Sequence, residues 1–427
     1  MSAHFMLFIG VFFLTLVVGM PIAFCMGFAS LAYLLVADTA NLSIIFGRMA
    51  GSMQSYLYAA VAFFIFASSL MNAFGITQRI FDFAHALVGH VRGGLAQVNV
   101  VGSIIFSGMT GTALGDAAGL GRIEIHAMTE AGYKPEYAAA VSIASAVLGP
   151  IIPPSFIMVI YAEMAGVSVA ELFLGGVMPG LIIGGALMIY IYFTAAKHGP
   201  LRLPRVTWSG RVRAFRHAFW PLLSPVIVMG GMISGIVTPT EAAALAAIYA
   251  LVLGIAYREL KWPQFIAAVR ESALGTALPL FVVTTALLFA WIVTVEQVPD
   301  RLIGLVGGVI DNKWLTLLII NLLLLFLGCV LEGLAIMILM VPILKPIALA
   351  AGIDLVHLGV FMTVNLMIGM VTPPVGLSLY VAVDITGCSF DRIVAAVTPF
   401  LIPLIVGLAV ITFVPETVLW LPRLLLK

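Results

Sequence analysis

The chain has 427 residues, of which 63% are hydrophobic and 9% charged, with a formal net charge of +1. A soluble domain carries about 25% charged residues, so a soluble fold is excluded and an all-α polytopic membrane protein is expected. No basic face is present to track phosphates, which excludes a nucleic-acid binder.

A spanning helix needs about 20 apolar residues, which leaves room for roughly ten to twelve spans. The start, MSAHFMLFIGVFFLTLVVGM, lacks a basic segment and a small-x-small cleavage site. It predicts an uncleaved first helix rather than a signal peptide. Residues 5–36 are apolar, with Pro21 as a kink within them, and residues 40–56 are more polar and interfacial. Residues 57–74 span. Gln78–Arg92 carries Arg79, Asp82, His85, His90 and Arg92 among apolar residues, the pattern of an amphipathic helix on the membrane surface. Residues 93–128 form two short apolar arms around a Gly/Thr cluster at Gly108–Thr112, read as a re-entrant hairpin. Residues 135–164 make one long segment broken at Gly149–Pro154, and residues 171–196 span. Cys25, Cys329 and Cys388 lie far apart, with neither metal spacing nor a disulfide framework.

Lys197, Arg202, Arg205, Arg211, Arg213 and Arg216 follow with no Asp or Glu among them, which marks a cytoplasmic loop. Counting back over four spans and one hairpin puts the N-terminus on that side too. Residues 218–237 and 239–257 are apolar, as one bent span or two. Trp262–Glu271 is interfacial, residues 274–296 span, and 298–312 is a connector. Residues 314–350 repeat the hairpin pattern, broken near Gly328–Gly333. Residues 355–384 repeat the broken segment, interrupted at Gly369–Pro374. Residues 391–415 form the last span, and Pro422–Lys427 a short tail.

A shift of 220 residues aligns the halves: Gly108 meets Gly328, Gly132 meets Gly352, Gly149 meets Gly369, Pro153–Pro154 meets Pro373–Pro374, and Pro179 meets Pro399. Gly and Pro fix special backbone geometry, so a constant offset across a hairpin and a broken segment indicates an internal repeat. If 218–237 is a separate span, the second unit enters the membrane in the opposite sense. Inverted repeats with paired broken segments are a transporter architecture, with the site at the breaks.

Broken helices free carbonyls for a cation and helix N-termini for an anion. One candidate Na⁺ site comprises Ser107, Gly108, Thr110, Gly111 and Thr112 at the first tip with Gly149 and Pro150 at the first break. A second comprises Gly328 and Gly333 at the second tip with Gly369, Thr372 and Pro373 at the second break. Thr112, Asp116, Ser155, Glu332 and Asn365 are candidate substrate contacts. Acids at membrane depth are functional candidates by default. Asp116 divides evenly between cavity function and hairpin bracing, whereas Glu332 favours function. Glu241, beside Pro239, reads as a helix cap, and Arg122 and Glu124 as solvated residues near the hairpin mouth.

No HExxH, P-loop or GxSxG motif is present. The chain therefore reads as neither an enzyme nor an ATP-driven pump. The alternatives are a stand-alone Na⁺-coupled carboxylate symporter and a channel.

The runs GTALGDAAGLG, GYKPEYAAAVSIASAVLGPIIPPSFIMVIYAEMAGVS, LFLGGVMPG, GIVTPTEAAALAAIYAL and GMVTPPVGLSLYVA resemble the large membrane subunit of tripartite ATP-independent periplasmic (TRAP) transporters, over nearly the whole chain. The resemblance implies an elevator-type secondary transporter in the bacterial inner membrane. It would be driven by sodium, take organic acids such as dicarboxylates or sialic acids, and use no organic cofactor. A soluble periplasmic substrate-binding protein would deliver the substrate, and a separate small four-helix membrane subunit would brace the scaffold within the lipid bilayer. It places the hairpin tips at Ser107–Thr112 and Gly328–Gly333, and the unwound helices at Gly149–Ser155 and Gly369–Gly376. Thr112 stands where the family commonly has Ser, Gly115 where it has Ala, and Gly333 where Pro often follows an acid.

The expected organisation is scaffold helices over 1–92, a transport hairpin and broken helix over 93–165, and a scaffold helix with the basic loop over 166–217. The second half repeats it, with scaffold helices over 218–313, a transport hairpin and broken helix over 314–385, and the last span and tail over 386–427.

Overall fold

The structure is a computed structural model that describes residues 3–36, 47, 49–51, 53–110, 120–199, 203–305 and 311–426. All regular structure among them is helical.

The first half runs α1 (Ala3–Val17), α2 (Ile22–Val36), α3 (Leu57–Ala73), α4 (Ile76–Val88), α5 (Leu95–Thr110), α6 (Leu120–Glu130), α7 (Pro135–Ala146), α8 (Phe156–Ala165) and α9 (Val169–Thr194). The second runs α10 (Trp208–Ile233), α11 (Pro239–Ala256), α12 (Trp262–Val295), α13 (Val298–Leu305), α14 (Lys313–Gly328), α15 (Gly333–Ala350), α16 (Leu355–Gly369), α17 (Leu377–Thr386), α18 (Phe390–Phe413) and α19 (Glu416–Leu425).

Among the described residues, five helices are long and apolar enough to cross a membrane: α9, α11, α12, α15 and α18. The α3–α4 pair, bent by 73°, would add a sixth. At 1.5 Å per residue, the 10 to 15 residues of α7, α8, α16 and α17 span only ~15–22 Å each. None crosses alone.

The ends of these segments are set locally. Thr238 accepts from Glu241 N while the Glu241 carboxylate accepts from Thr238 N at 2.7 Å, a capping box that starts α11. Asn312 and Asp354 cap α14 and α16 more simply, each side-chain oxygen accepting from two N–H groups of the first turn. Gly132 (φ +92) and Gly352 (φ +64) end the hairpins, and Gly166 (φ +70) and Gly387 (φ +67) end α8 and α17, all in the left-handed region that only glycine enters freely. The Pro153–Pro154 and Pro373–Pro374 peptide bonds are both cis.

Two groups of helices pack among themselves. In one, α12 lies against α2 and α3, α11 against α3 and α10, and α1 against α2. Phe8 and Phe289 meet at 4.4 Å between α1 and α12, and Tyr33 donates to the Glu296 carboxylate at 2.9 Å. In the other, α5, α7, α9, α14, α16, α18 and α19 pack on one another. The groups meet where α8 and α5 touch α3 and where α15 touches α12.

Several expectations change. Residues 5–36 are not one kinked span. Gly19 (φ +85) turns the chain back so that α2 packs against α1. Residues 218–257 are two helices joined by a turn at Gly235 (φ +70). Trp262–Glu271 is the first part of the continuous 34-residue α12. Residues 298–305, read as connector, form α13, and the expected tail belongs to the amphipathic α19. Glu124 is buried at 1% exposure, with a carboxylate oxygen 3.3 Å from where a Cβ on Gly102 would sit; it is not solvated. Arg122 is exposed and pairs with Asp384 at 3.8 Å.

Candidate functional site

A cavity of about 620 Å³ lies where the two groups of helices meet. One wall is α3 and α12, with Ser69, Asn72, Glu271 and Pro279; the other is Ile123 of α6, Phe156 at the start of α8, and Glu332 and Leu334 at the start of α15. Gly75, Thr77 and Gln78 at the α3–α4 bend also line it. Immediately beyond them Arg79 pairs with Glu259 at 3.8 Å and stacks on Tyr257 at 3.8 Å, tying α4 to the turn before α12.

Two helix N-termini, those of α8 and α15, therefore open into one space. Their unpaired N–H groups and dipoles favour an anion there. Glu332 is the residue preceding α15; its carboxylate makes no capping bond and is exposed to the cavity. Among the described lining residues, Glu271 and Glu332 are the charged ones, and none is basic. The positive charge offered to an anion by the described lining is therefore that of the helix N-termini.

The second tip and second break are in direct backbone contact. A Cβ on Gly369 would lie 2.6 Å from Gly328 Cα and 2.9 Å from Gly328 O. The break is closed by Val375 N and Gly376 N, which both donate to Cys329 O at 3.3 Å, and by Ser378 N, which donates to Met370 O at 3.1 Å. Thr372 Oγ1 donates to Ile368 O at 2.6 Å. Among the described residues no donor reaches the carbonyls of Gly328 or Thr372. Oxygens from both elements thus remain available to a hard cation, the donor type that Na⁺ takes. Gly333 packs on Leu366 and Met367, and Pro373 forms the cis bond.

At the first tip, Gly108 lies against Pro225 of α10, with Pro153 O 3.6 Å from its Cβ position. The first tip therefore meets the first break as the second tip meets the second. Gly149 and Pro150 are buried, and among the described residues no donor reaches their carbonyls. Ser107 is buried and its hydroxyl donates to Ser103 O. Thr110 is the last residue of α5, its side chain outside the described atoms. Gly111, Thr112 and Asp116 lie outside the described residues.

Ser155 and Asn365 do not line the cavity. Ser155 is fully buried and caps α8, accepting from Met158 N at 3.4 Å. Asn365, also fully buried, donates to Asn321 O and Oδ1 at 2.9 Å, joining α16 to α14. Thr412 of α18 donates to Asn321 Oδ1 at 3.4 Å.

The sequence reading missed this polar cluster and its counterpart. Asn99 donates to Ser142, Ser145 donates to Asn99 Oδ1 at 2.7 Å, and Ser103 donates to Ser145 at 2.9 Å, joining α5 to α7. Ser145 and Asn365 are related by the same offset of 220. The signal was there, in polar residues at helical spacing one turn before each break. The cavity wall on α3 and α12 was also missed, because Ser69 and Asn72 belong to a segment that reads as an ordinary span and Glu271 to one that reads as interfacial.

The family model of the tripartite ATP-independent periplasmic transporter, DctM component, matches residues 9–417. The sialic acid TRAP transporter large permease protein SiaM of Vibrio cholerae is 42% identical over 409 residues, covering 96% of each chain. The C4-dicarboxylate TRAP transporter large permease protein DctM of Pseudomonas aeruginosa is 38% identical over 87% of each. The isethionate TRAP transporter permease protein DctMQ of Oleidesulfovibrio alaskensis is 38% identical, covering 95% of this chain and 64% of that one. The crystal structure of the Alcanivorax borkumensis YdaH transporter aligns with a TM-score of 0.63 at 14% identity, covering 86% of each chain, a likeness of fold.

Proposed function

This chain belongs to the DctM component family of tripartite ATP-independent periplasmic transporters, and from that membership we propose that it is the sodium-driven permease subunit importing organic acids across a bacterial inner membrane. Its relatives are transporter permeases, not enzymes. A soluble periplasmic binding protein delivers the substrate, and a small four-helix membrane subunit braces the frame. The substrate is an acid of the class that relatives are named for, sialic acid or a C4-dicarboxylate.

The observation that carries this reading is the meeting of two half-helix N-termini in one cavity between the two helix groups. α8 follows the first break, and α15 follows the second tip. Such a space holds an anion without a basic side chain, and the acids Glu271 and Glu332 beside it favour an accompanying cation. In this proposal the substrate carboxylate lies at the starts of α8 and α15, touched by Thr112, Asp116 and Glu332. Ser155 acts by holding the first turn of α8, and Asn365 by bracing α16 to α14. Na⁺ binds at each tip–break contact, through Ser107, Gly108, Thr110, Gly111, Thr112, Gly149 and Pro150 in the first half. In the second half it binds through Gly328, Gly333, Gly369, Thr372 and Pro373.

The two halves are inverted repeats. With α1 and α2 each taken as a crossing, α1 and α10 start on opposite faces, as inversion requires. The hairpins and broken helices, residues 93–165 and 314–385, form an elevator-like moving body against a frame of α1–α4 and α10–α13. Because α9 and α18 pack on that body, they travel with it. Sodium drives the motion only if it binds the two positions with different affinity.

The test is uptake of labelled acids into proteoliposomes holding the chain and its small subunit. Uptake needing both an inward sodium gradient and the binding protein is expected. Uptake with sodium alone overturns the tripartite part, and current with neither overturns the transporter reading. Thr112→Ala and Thr372→Ala should weaken sodium activation while the protein still folds; unchanged activation in both sinks the ion sites.

A further inference from the structure

A second cavity, of about 300 Å³, lies on the face of the protein that carries the basic loop. Three elements converge on it: the start of α7, the segment after α9, and the start of α18. They bring Lys134, His198 and Arg392 to its lining, with Glu136 as the opposing acid. The N-termini of α7 and α18 add partial positive charge.

The site is rigid. The Tyr137 and His198 rings stack at 4.2 Å and 4°, and Tyr133 continues the ladder at 6.2 Å from Tyr137. Gly199 lies flat on the Tyr133 ring, where a Cβ would sit 2.4 Å from Cδ1. Tyr190 and Phe400 close the inner wall, 4.9 Å apart. Beyond the charged mouth, α18 turns apolar and outward: Ala395 is exposed, then Ile402 at 64% and Val406 at 57%.

We propose that this cavity is a headgroup site for an anionic phospholipid of the leaflet facing the basic loop. The phosphate sits against Lys134 and Arg392, and an acyl chain follows the outer face of α18 past Ile402 and Val406. The juxtaposition of a basic mouth with an apolar exit decides for a lipid over free phosphate, which has no use for the exit. Basic pockets between membrane helices on the cytoplasmic side are suited to such headgroups. The charged and titratable groups around His198 are Lys134, Glu136 and Tyr137 from α7, Tyr190 from α9, Arg392 from α18 and the adjacent Lys197. Burial and the two lysines hold its imidazole below its ordinary value. A bound phosphate reverses that influence, so affinity should rise as pH falls from 8 to 6. This inference does not depend on what the central cavity carries.

The experiment is native mass spectrometry of the full chain in detergent, with equal amounts of phosphatidylglycerol and phosphatidylcholine. Phosphatidylglycerol adducts are expected on the wild type, and Lys134→Gln with Arg392→Gln should weaken them about thirtyfold, each basic group contributing roughly fivefold. Arg213→Gln, on the exposed start of α10, should leave them unchanged. If the double variant does not fold, Arg392→Gln alone is read, with about a fivefold loss expected. Equal retention of both lipids overturns the proposal, as does undiminished phosphatidylglycerol binding in the Arg392→Gln or double variant. Displacement of the lipid by an equal concentration of inorganic phosphate overturns the choice of a lipid.

Discussion

Gly369 and Gly328 leave no room for a methyl group between the second break and the second tip. Gly369→Ala should therefore destabilise the protein by about 1–3 kcal/mol, the range for overpacking. Gly185→Ala, at a position with nothing within 4 Å, should be neutral or gain about 0.5–1 kcal/mol. Thermal unfolding of the two variants in one detergent checks this, and an equal loss in both would mean that the Gly369–Gly328 contact does not decide. His198 gives a pH signature in the absence of lipid. Its imidazole is held below the ordinary value of 6.5 by burial, then by Lys134 and Lys197. The unfolded chain therefore binds the proton more readily than the folded one. Stability is complete above pH 6.5 and falls as pH drops below it towards the depressed folded value. Between pH 7.5 and 5.5 the wild type should lose more melting temperature than His198→Gln.

Most elements here are short apolar helices that rely on caps and close glycine contacts instead of length. The capping box at Thr238 and Glu241 shows what one such stop contributes. It satisfies two N–H groups at the start of α11 that would otherwise be orphaned next to a hydrocarbon layer. Thr238→Ala should lower stability by about 0.5–2 kcal/mol, measured by thermal unfolding, and Thr238→Ser should restore most of it. Elsewhere along the helices, hydroxyls bond back to the carbonyl one turn earlier, as Ser30, Thr285 and Thr363 do. Polar side chains are thus carried in apolar segments without open partners.

Across the molecule, the central cavity is bounded by helices from both groups, and its rim at Gln78 adjoins Arg79 and the turn before α12. Basic residues Arg258 and Lys261 mark that turn as cytoplasmic by the charge rule. The structure therefore presents the cavity towards that side. With Cys25, Cys329 and Cys388 replaced, Asn72→Cys, at a half-buried lining position, should react with a membrane-impermeant maleimide added from the cytoplasmic face. Reaction should be slower from the periplasmic face. Equal rates from both sides would mean a continuous pore, and labelling from the periplasm alone would reverse the orientation.

Composition and the spacing of Gly and Pro pointed to an all-helical membrane protein with two broken helices and a hairpin tip in the second half. These features are local: a segment with few charges cannot be soluble, and Gly–Pro clusters interrupt a helix wherever it packs. The breaks at Gly149–Pro154 and Gly369–Pro374 and the tip at Gly328–Gly333 were legible for that reason, as was the cap at Glu241. Helix-to-helix neighbourhood was not. Pro21 reads alike as a kink or as a turn, and only the contact between α2 and α1 separates the two. Glu124 reads as a surface charge until α5 covers it at Gly102. The cavity draws Ser69, Asn72, Glu271, Phe156 and Glu332 from four helices that lie far apart in the chain. Asn365 and Ser155 sit close in sequence to the breaks yet turn to neighbouring helices or to their own. Periodicity shows which residues share a helix face, while the crossing of helices from distant segments settles what that face meets.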